Sequence, residues 1–511
     1  MKAAQRLLEY AAETGVSACF ANPGTSEMHL VAALDAVPAI RPILCLFEGV
    51  ATGAADGFGR VAEKPALTLL HLGPGLSNGA ANLHNAFRAR TPILSLIGEH
   101  ATYHRANNPP LASDITSLAA PVSVWLKTAD TPETLVVLAA EALHAARERG
   151  PAALVLPADI AWSDVEPHPA PRARAQRRDD AWIKTLDDAA AALSANATLL
   201  LGGRFLSARA SAAAQRIAAK TGAQVLVETF PARMERTEST LKRLPYLSEM
   251  AAGMLADAET IVLAGAADPV AFFALPERPA KLAPTSARIL EFVHATGDLE
   301  QALEALAEVV GASAALEAPL PAPVTLPNTN AKIDPYGFAQ AIAATLPENA
   351  IVSDESNTLG LYAFDTCAGA ARHDWLTLTG GSIGQGLPLA TGAGVAAPDR
   401  RVLALEADGS ALYTIQALWT QAREGLNVTN VILNNGAYAI LKLEMMRAGV
   451  AAQTDAAANL FDLGRPSIDF TQLAKGFGLP AERVATVHDL AAALGRSYAT
   501  PGPSLIEVMF T

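Results

Sequence analysis

The chain has 511 residues, 51% of them apolar, and a formal net charge of −13. That length suits about three domains, the apolar share is enough for large buried cores, and the acidic balance argues against nucleic acid as a partner. No apolar run reaches the roughly eighteen residues of a membrane span, and Met1-Lys2-Ala3-Ala4-Gln5-Arg6 leads into an amphipathic helix, not the apolar core of a signal peptide. From the N-terminus, apolar runs at 16–20, 43–47, 66–71, 93–97 and 153–156 alternate with helical patterns. This alternation predicts a mostly parallel sheet covered on both faces, over residues 1–166. Residues 166–178, rich in Pro, Ala and Arg, read as a linker.

A second α/β unit is predicted over 180–312, with strands at 198–201, 224–227, 260–263 and 288–292. Its loops Leu201-Gly202-Gly203 and Ala264-Gly265-Ala266 read as strand-to-helix turns or as a nucleotide cradle; no GxGxxG is present, which favours turns. A second Ala- and Pro-rich connection spans 314–327, and a third α/β unit spans 330–511, with strands at 350–353, 402–406, 429–433 and 504–509. Cys19, Cys45 and Cys367 have small or apolar neighbours and read as buried free thiols. A reducing, cytoplasmic setting is the expectation.

The third unit carries the strongest chemical signal. Ala407-Asp408-Gly409-Ser410 ends one strand, and Asn434-Asn435-Gly436 ends the next. An Asp and an Asn at neighbouring strand ends can meet at one divalent ion, and their hard oxygens suit Mg²⁺ or Ca²⁺ better than zinc. Gly409 lets the backbone approach a phosphate, and the segment after Ser410 reads as a helix whose N–H groups face that anion. A metal-bridged diphosphate is the natural ligand. Each piece alone is more commonly a turn; the two at this spacing favour the cofactor.

This constellation resembles the diphosphate-anchoring motif of thiamine diphosphate (ThDP) enzymes, Gly-Asp-Gly followed by Asn-Asn, with Ala407 replacing the first Gly. That replacement matters only if the position needs φ > 0. Glu48 and the small-residue helix to Arg60 resemble the family's Glu-x-x-Ala-x-x-x-Ala-Asp-Gly-Tyr-Ala-Arg, with Phe58 and Gly59 substituted. Without the resemblance, Glu48 is a carboxylate at a helix N-terminus, stabilised by the dipole. Gly380-Gly381-Ser382-Ile383-Gly384-Gln385-Gly386-Leu387-Pro388 matches a third family segment. Three α/β units of doubly wound, mostly parallel type, pyrimidine-binding, central and diphosphate-binding in order, are implied.

By the resemblance, Glu48 hydrogen-bonds N1′ of the aminopyrimidine and relays a proton, so that the cofactor acts as its own base. Gly381 and Ile383 meet the rings, Ile383 holding them bent. Asp408, Gly409, Ser410, Asn435, Ala437 and Tyr438 bind the diphosphate end, with Mg²⁺ on Asp408, Asn435 and the Ala437 carbonyl. Thr25 and Ser26 border the substrate or simply cap the helix beginning near Glu27. His71 stands where some decarboxylases of the family carry a His that protonates or orients intermediates. Ile440 and Leu441 line a modest apolar pocket. The His-His pair of pyruvate decarboxylases is absent, and Leu111-Ala112 stand where acetolactate synthases carry Phe-Gln.

The nearest broad type is the acetolactate synthase-like and benzoylformate decarboxylase-like group. It implies a 2-oxo acid substrate, loss of CO₂, and then either protonation to an aldehyde or attack on a second carbonyl. It also implies a homodimer or homotetramer with active sites between subunits. FAD in the central unit is compatible with the resemblance but no motif supports it. The same cofactor motifs would also serve acyl-CoA lyase chemistry or a catalytically silent ThDP-binding subunit.

Overall fold

Strands buried on both faces form the centre of each unit. The structure, a computed structural model, describes residues 1–166, 181–236, 241–312, 324–326, 331–450 and 455–510. The two predicted connections lie largely outside these residues. The first sheet contains β1 (Ala18–Ala21), β2 (Arg41–Leu44), β3 (Ala66–Leu70), β4 (Ile93–Glu99), β5 (Trp125–Thr128) and β6 (Ala152–Pro157). Their order is β2-β1-β3-β4-β6-β5, with every pair parallel. β3, β4 and β6 are buried at every residue, so they appear in sequence as continuous apolar runs. The edge strand β5 is half-exposed, has no such run, and gives no strand signal in the sequence.

The central stretch contributes β7 (Ala197–Leu201), β8 (Gln224–Val227), β9 (Arg233–Arg236), β10 (Lys242–Arg243), β11 (Thr260–Ala264) and β12 (Arg288–Val293). All but β9 form a parallel sheet, β10-β8-β7-β11-β12. The third sheet comprises β13 (Ala350–Glu355), β14 (His373–Thr377), β15 (Val402–Ala407), β16 (Val428–Asn434), β17 (Ala481–Val484) and β18 (Ser504–Met509). β9 leaves the central unit and closes this sheet as an antiparallel edge on β14, giving the order β17-β18-β16-β15-β13-β14-β9. The sequence Arg-Met-Glu-Arg has no strand signature; side-chain contacts hold it there. The Arg236 guanidinium lies 3.7 Å from the Phe364 ring centroid. Arg233 donates to Asp374 at 3.2 Å and to the carbonyl of Arg60 at 3.1 Å.

The single helix expected after Ser410 is two pieces, Asp408–Ala411 and Ala417–Glu424, with turns between them. The three cysteines are free and buried. Among the described residues no helix is long and apolar enough to cross a membrane.

The first and third units meet along two glycine-bearing helices, Glu48–Ala62 and Gly386–Ala396. A Cβ on Gly57 would overlap the Leu389 carbonyl, and one on Gly392 would overlap that of Ala54. The helix backbones therefore touch. Gly57→Ala is expected to destabilise the protein by about 2 kcal/mol or more, because neither backbone can give way. Gly495→Ala, in a helix with nothing within 4 Å of the added carbon, should stabilise it by about 0.5–1 kcal/mol. Thermal denaturation of both variants checks the contrast.

His373, on β14, is 1% exposed. Burial, assisted by Arg236, holds its imidazole down to about 4. The unfolded chain therefore takes up a proton at this residue below pH 6.5 that the folded chain refuses until about pH 4. Its contribution is complete above 6.5 and is lost as pH falls through that window, by about 3 kcal/mol. His373→Phe, which keeps a ring against Trp375, should flatten the loss of melting temperature between pH 7 and pH 4.5.

Candidate active site

β15 and β16 run parallel with Ala407 opposite Leu433, so Asp408 and Asn435 emerge at neighbouring strand ends. Ala407 has φ −77° and ψ 147°, extended backbone, so the missing glycine costs no strain. Asp408 Oδ1 accepts the Gly409 N–H at 2.8 Å, while Oδ2 accepts those of Asn435 and Gly436 at 3.0 and 2.7 Å. Burial raises the Asp408 carboxyl above its ordinary value, and these backbone donors oppose the rise. Asn435 Oδ1 accepts the Ala437 N–H at 2.9 Å. Gly436 turns the chain at φ +63°, and Tyr438 lies over Gly409 where a Cβ would strike its ring.

The chemistry of this donor set fits Mg²⁺. One carboxylate, one amide oxygen and the Ala437 carbonyl leave positions for water and phosphate oxygens. Among the described residues no cluster of three or more His, Cys, Asp or Glu competes as a metal centre.

Opposite this turn, the glycine loop adopts left-handed backbone at Gly381 (φ +74°) and Gly384 (φ +90°). Half-buried Ile383 lies between them. Asn85 grips Ser382 through both its carbonyl and its N–H, at 2.8 and 3.1 Å. Asn82 donates to Gly49 O at 2.8 Å and to Gly384 O at 3.2 Å, tying the start of the Glu48 helix to the loop. From the central unit, the Phe272 ring occupies the space where a Cβ on Gly381 would sit, and Phe272 packs against Phe230, Tyr246 and Phe273. This aromatic wall has no periodic signal in the sequence.

In the first unit, Glu48 opens its helix and is 7% exposed. Its Oε2 accepts from Asn78 at 3.0 Å. Gly75 separates Glu48 from His71: a Cβ there would lie 3.3 Å from Glu48 Oε1 and from His71 Cβ. His71 Nδ1 is 3.0 Å from both Ser26 Oγ and Glu27 Oε2. Glu27 is fully buried and also takes the Gly24 N–H at 2.8 Å and the Ser26 hydroxyl. An acceptor-only carboxylate against Nδ1 favours the tautomer with the ring proton there.

In the sequence Glu27 stands only as a helix start. The signal that could have marked it is the spacing Gly24-x-x-Glu27, in which a side chain reaches back to an N–H three residues earlier. Thr25 is exposed and takes no part in this cluster. Ile440 is half-buried and Leu441 exposed, on a helix, Ala439–Arg447, with no buried residue. One chain therefore does not close a pocket around them.

A cavity of about 780 Å³ lies elsewhere, between the first and second units, and is lined by Gly202, Gly203 and Gly265 among others. The Gly203 N–H donates to Glu228 at 3.1 Å, so that turn is explained without a nucleotide.

The thiamine pyrophosphate enzyme N-terminal TPP binding domain matches residues 1–118, and the C-terminal TPP binding domain matches 362–508. The Mycobacterium tuberculosis protein named "Putative acetolactate synthase large subunit IlvX" is 47% identical over 515 aligned positions, covering 100% of this chain and 99% of the relative. Benzoylformate decarboxylase of Pseudomonas aeruginosa is 28% identical, covering 97% of this chain and 96% of its own. The solved structure of the ThDP-dependent 4-hydroxybenzoylformate decarboxylase of Rhodococcus jostii RHA1 superposes with a TM-score of 0.82 at 25% identity, covering 100% and 99%. With the matched domains carrying both groups of site residues, the chain belongs to the thiamine diphosphate-dependent enzymes of the acetolactate synthase and benzoylformate decarboxylase family.

Proposed function

We propose that this protein is a ThDP- and Mg²⁺-dependent enzyme that decarboxylates a small 2-oxo acid and releases the product or joins it to a second carbonyl. The observation that carries the reading is the turn at two neighbouring strand ends in which Asp408 accepts the Asn435 and Gly436 N–H groups and Asn435 accepts that of Ala437, with a buried Glu48 in the unit that Asn82 ties to the glycine loop. The units 1–166, 180–312 and 330–511 act as pyrimidine-binding, central and diphosphate-binding domains. Asp408, Asn435 and Ala437 O hold the metal; Gly409, Ser410 and Tyr438 surround the diphosphate; Gly381 and Ile383 support the rings.

Bound ThDP supplies the carbon that adds to the ketone and the electron sink for departing CO₂. Glu48, steadied by Asn78, shares a proton with the aminopyrimidine N1′ and so sets its basicity. His71 holds a proton position at Nε2, with Glu27 fixing its other nitrogen. Ser26 meets the substrate carboxylate, and Thr25 stands at the rim. Ile440 and Leu441 face the substrate side chain, and a second copy of the chain completes the site in a homodimer or homotetramer. The setting is cytoplasmic.

The His71–Glu27 pair favours a second reading of the outcome. A proton donor held beside the reacting carbon suits release of an aldehyde, as in benzoylformate-type decarboxylation, over ligation.

Steady-state CO₂ release from a panel of 2-oxo acids, with ThDP and Mg²⁺ each omitted in turn, should show release that needs both, with an aldehyde or a 2-hydroxy ketone in the mass spectrum. No release despite bound ThDP would overturn the 2-oxo acid assignment. Glu48→Gln should lower turnover about 100-fold or more with ThDP still bound and melting unchanged; wild-type turnover would remove Glu48 from the mechanism. Asp408→Asn, or chelation of Mg²⁺, should weaken ThDP binding by at least about tenfold, read by titration calorimetry.

A further inference from the structure

We propose that Glu355 is a positioning residue, a buried carboxylate that locks the Ile383 loop and the Ser410 turn to one another and so fixes the ring-bearing and diphosphate-bearing parts of the site at one separation. The proposal rests on the cofactor reading given above.

Glu355 is the last residue of β13 and is 2% exposed. Its Oε1 accepts the Gly384 N–H at 2.7 Å and its Oε2 the Gly386 N–H at 2.5 Å. The Gln385 N–H and the Ser410 hydroxyl face the same carboxylate. Ser410 Oγ in turn accepts from Asn357 at 3.2 Å, which leaves its own proton for Glu355. Three successive backbone N–H groups converging on one carboxylate is an arrangement that binds anions firmly. Here the anion comes from a different strand and reaches two segments, 384–386 and 410, that lie far apart in sequence.

An ordinary helix cap would not need this. A Ser or Asn close to the start of the Gly386–Ala396 helix would satisfy the same donors at lower cost than a buried carboxylate. The geometry beneath the loop is also costly. Glu406 is the direct cross-strand partner of Glu355, is 0% exposed, and has no hydrogen-bond partner of good geometry, with the Leu387 N–H facing it. Its carboxylate fills the space that a Cβ on Gly386 would need.

The chain thus places acidic side chains from two adjacent strands under a loop that is left-handed at Gly381 and Gly384 and that Asn85 and Asn82 hold from the first unit. Ile383 sits between those glycines, directly before the Gly384 N–H that Glu355 holds. If Ile383 sets the ring geometry, an ångström of loop displacement is worth on the order of 100-fold in rate. Glu355 holds the 384–386 end of the loop against it.

The test uses the full-length protein and Glu355→Gln, which keeps the shape but presents an amide NH₂ to N–H donors. Without cofactor, hydrogen–deuterium exchange mass spectrometry should show the amides of 384–386 exchanging at least about tenfold faster in the variant. With ThDP and Mg²⁺ bound, exchange of the cofactor's C2 hydrogen, followed by NMR, should slow at least about tenfold while ThDP affinity changes less than about threefold. C2 exchange at the wild-type rate would overturn the proposal, whatever the loop amides do. Should the Gln variant not fold, Glu355→Asp keeps the charge but withdraws the carboxylate from the 384–386 amides by one methylene. It should slow C2 exchange by about threefold or more, and an unchanged rate would equally overturn the proposal. Wild-type protein that fails to accelerate C2 exchange over free ThDP would overturn the cofactor reading itself, and this inference with it.

Discussion

The structure depends on one buried ion pair. Asp56 and Arg60, a turn apart on the helix that Glu48 begins, have side chains 0% and 1% exposed. Removing both charges from water costs several kcal/mol per ion, and attraction alone seldom repays it. Here every valence is used. The five N–H groups of Arg60 go to Asp56 twice, to the carbonyls of Ala232 and Thr377, and to the Thr379 hydroxyl. Asp56 takes two further bonds, from Thr91 and from Gln385. Ala232 belongs to the central stretch, while Thr377, Thr379 and Gln385 belong to the third unit. The pair is satisfied only when all three units are in register, so misregister leaves a buried charge unpaired.

That register is what the chemistry uses. Glu48 lies two helical turns before Asp56 on the same rigid element, and Gln385 lies two residues after Ile383. The Glu48 carboxylate and the glycine loop are therefore placed by the same lock. Gly57 and Gly392 bring the helix backbones into contact beside it, so the helices cannot slide without a carbonyl collision. The open side of the site is the Ala439–Arg447 helix, which Arg447 ties to the central unit through Glu249 at 2.7 Å while burying none of its own residues.

What is legible in the sequence follows from which signals are local. β3, β4, β15 and β16 are largely apolar runs buried on both faces, and they stand out at once. β5, β9 and β10 are polar or short edge strands held by distant side chains, and they do not. That Asp408 and Asn435 fall at neighbouring strand ends is legible because the runs before them are strand-like and the glycines after them mark the turns. Ala407 is open in sequence, since only the backbone angle decides whether a methyl is tolerated. Glu27 and Glu355 escape a sequence reading because their meaning lies in partners remote in the chain: His71 for one, residues 384–386 and Ser410 for the other. Thr25 and Ser26 look equivalent, and only the packing of His71 against Ser26 separates them.

The buried carboxylates sort by what neutralises them. Asp56 is matched by a guanidinium and by neutral donors until its oxygens are saturated; such a group can do no chemistry and serves only to hold. Glu48 and Asp408 are steadied by neutral amide donors alone, Asn78 for the first and backbone N–H groups for the second. Neutral donors orient a carboxylate without cancelling its charge, so it keeps lone pairs and an unmet need for a proton or a cation. That unmet need is the site. Under the proposed function that need is met at Asp408 by a metal and at Glu48 by a ring nitrogen, and burial raises the Asp408 carboxyl. Glu355, held by neutral donors alone, serves to position, so among the carboxylates steadied by dipoles it is those of Glu48 and Asp408 that the proposed function assigns to the cofactor.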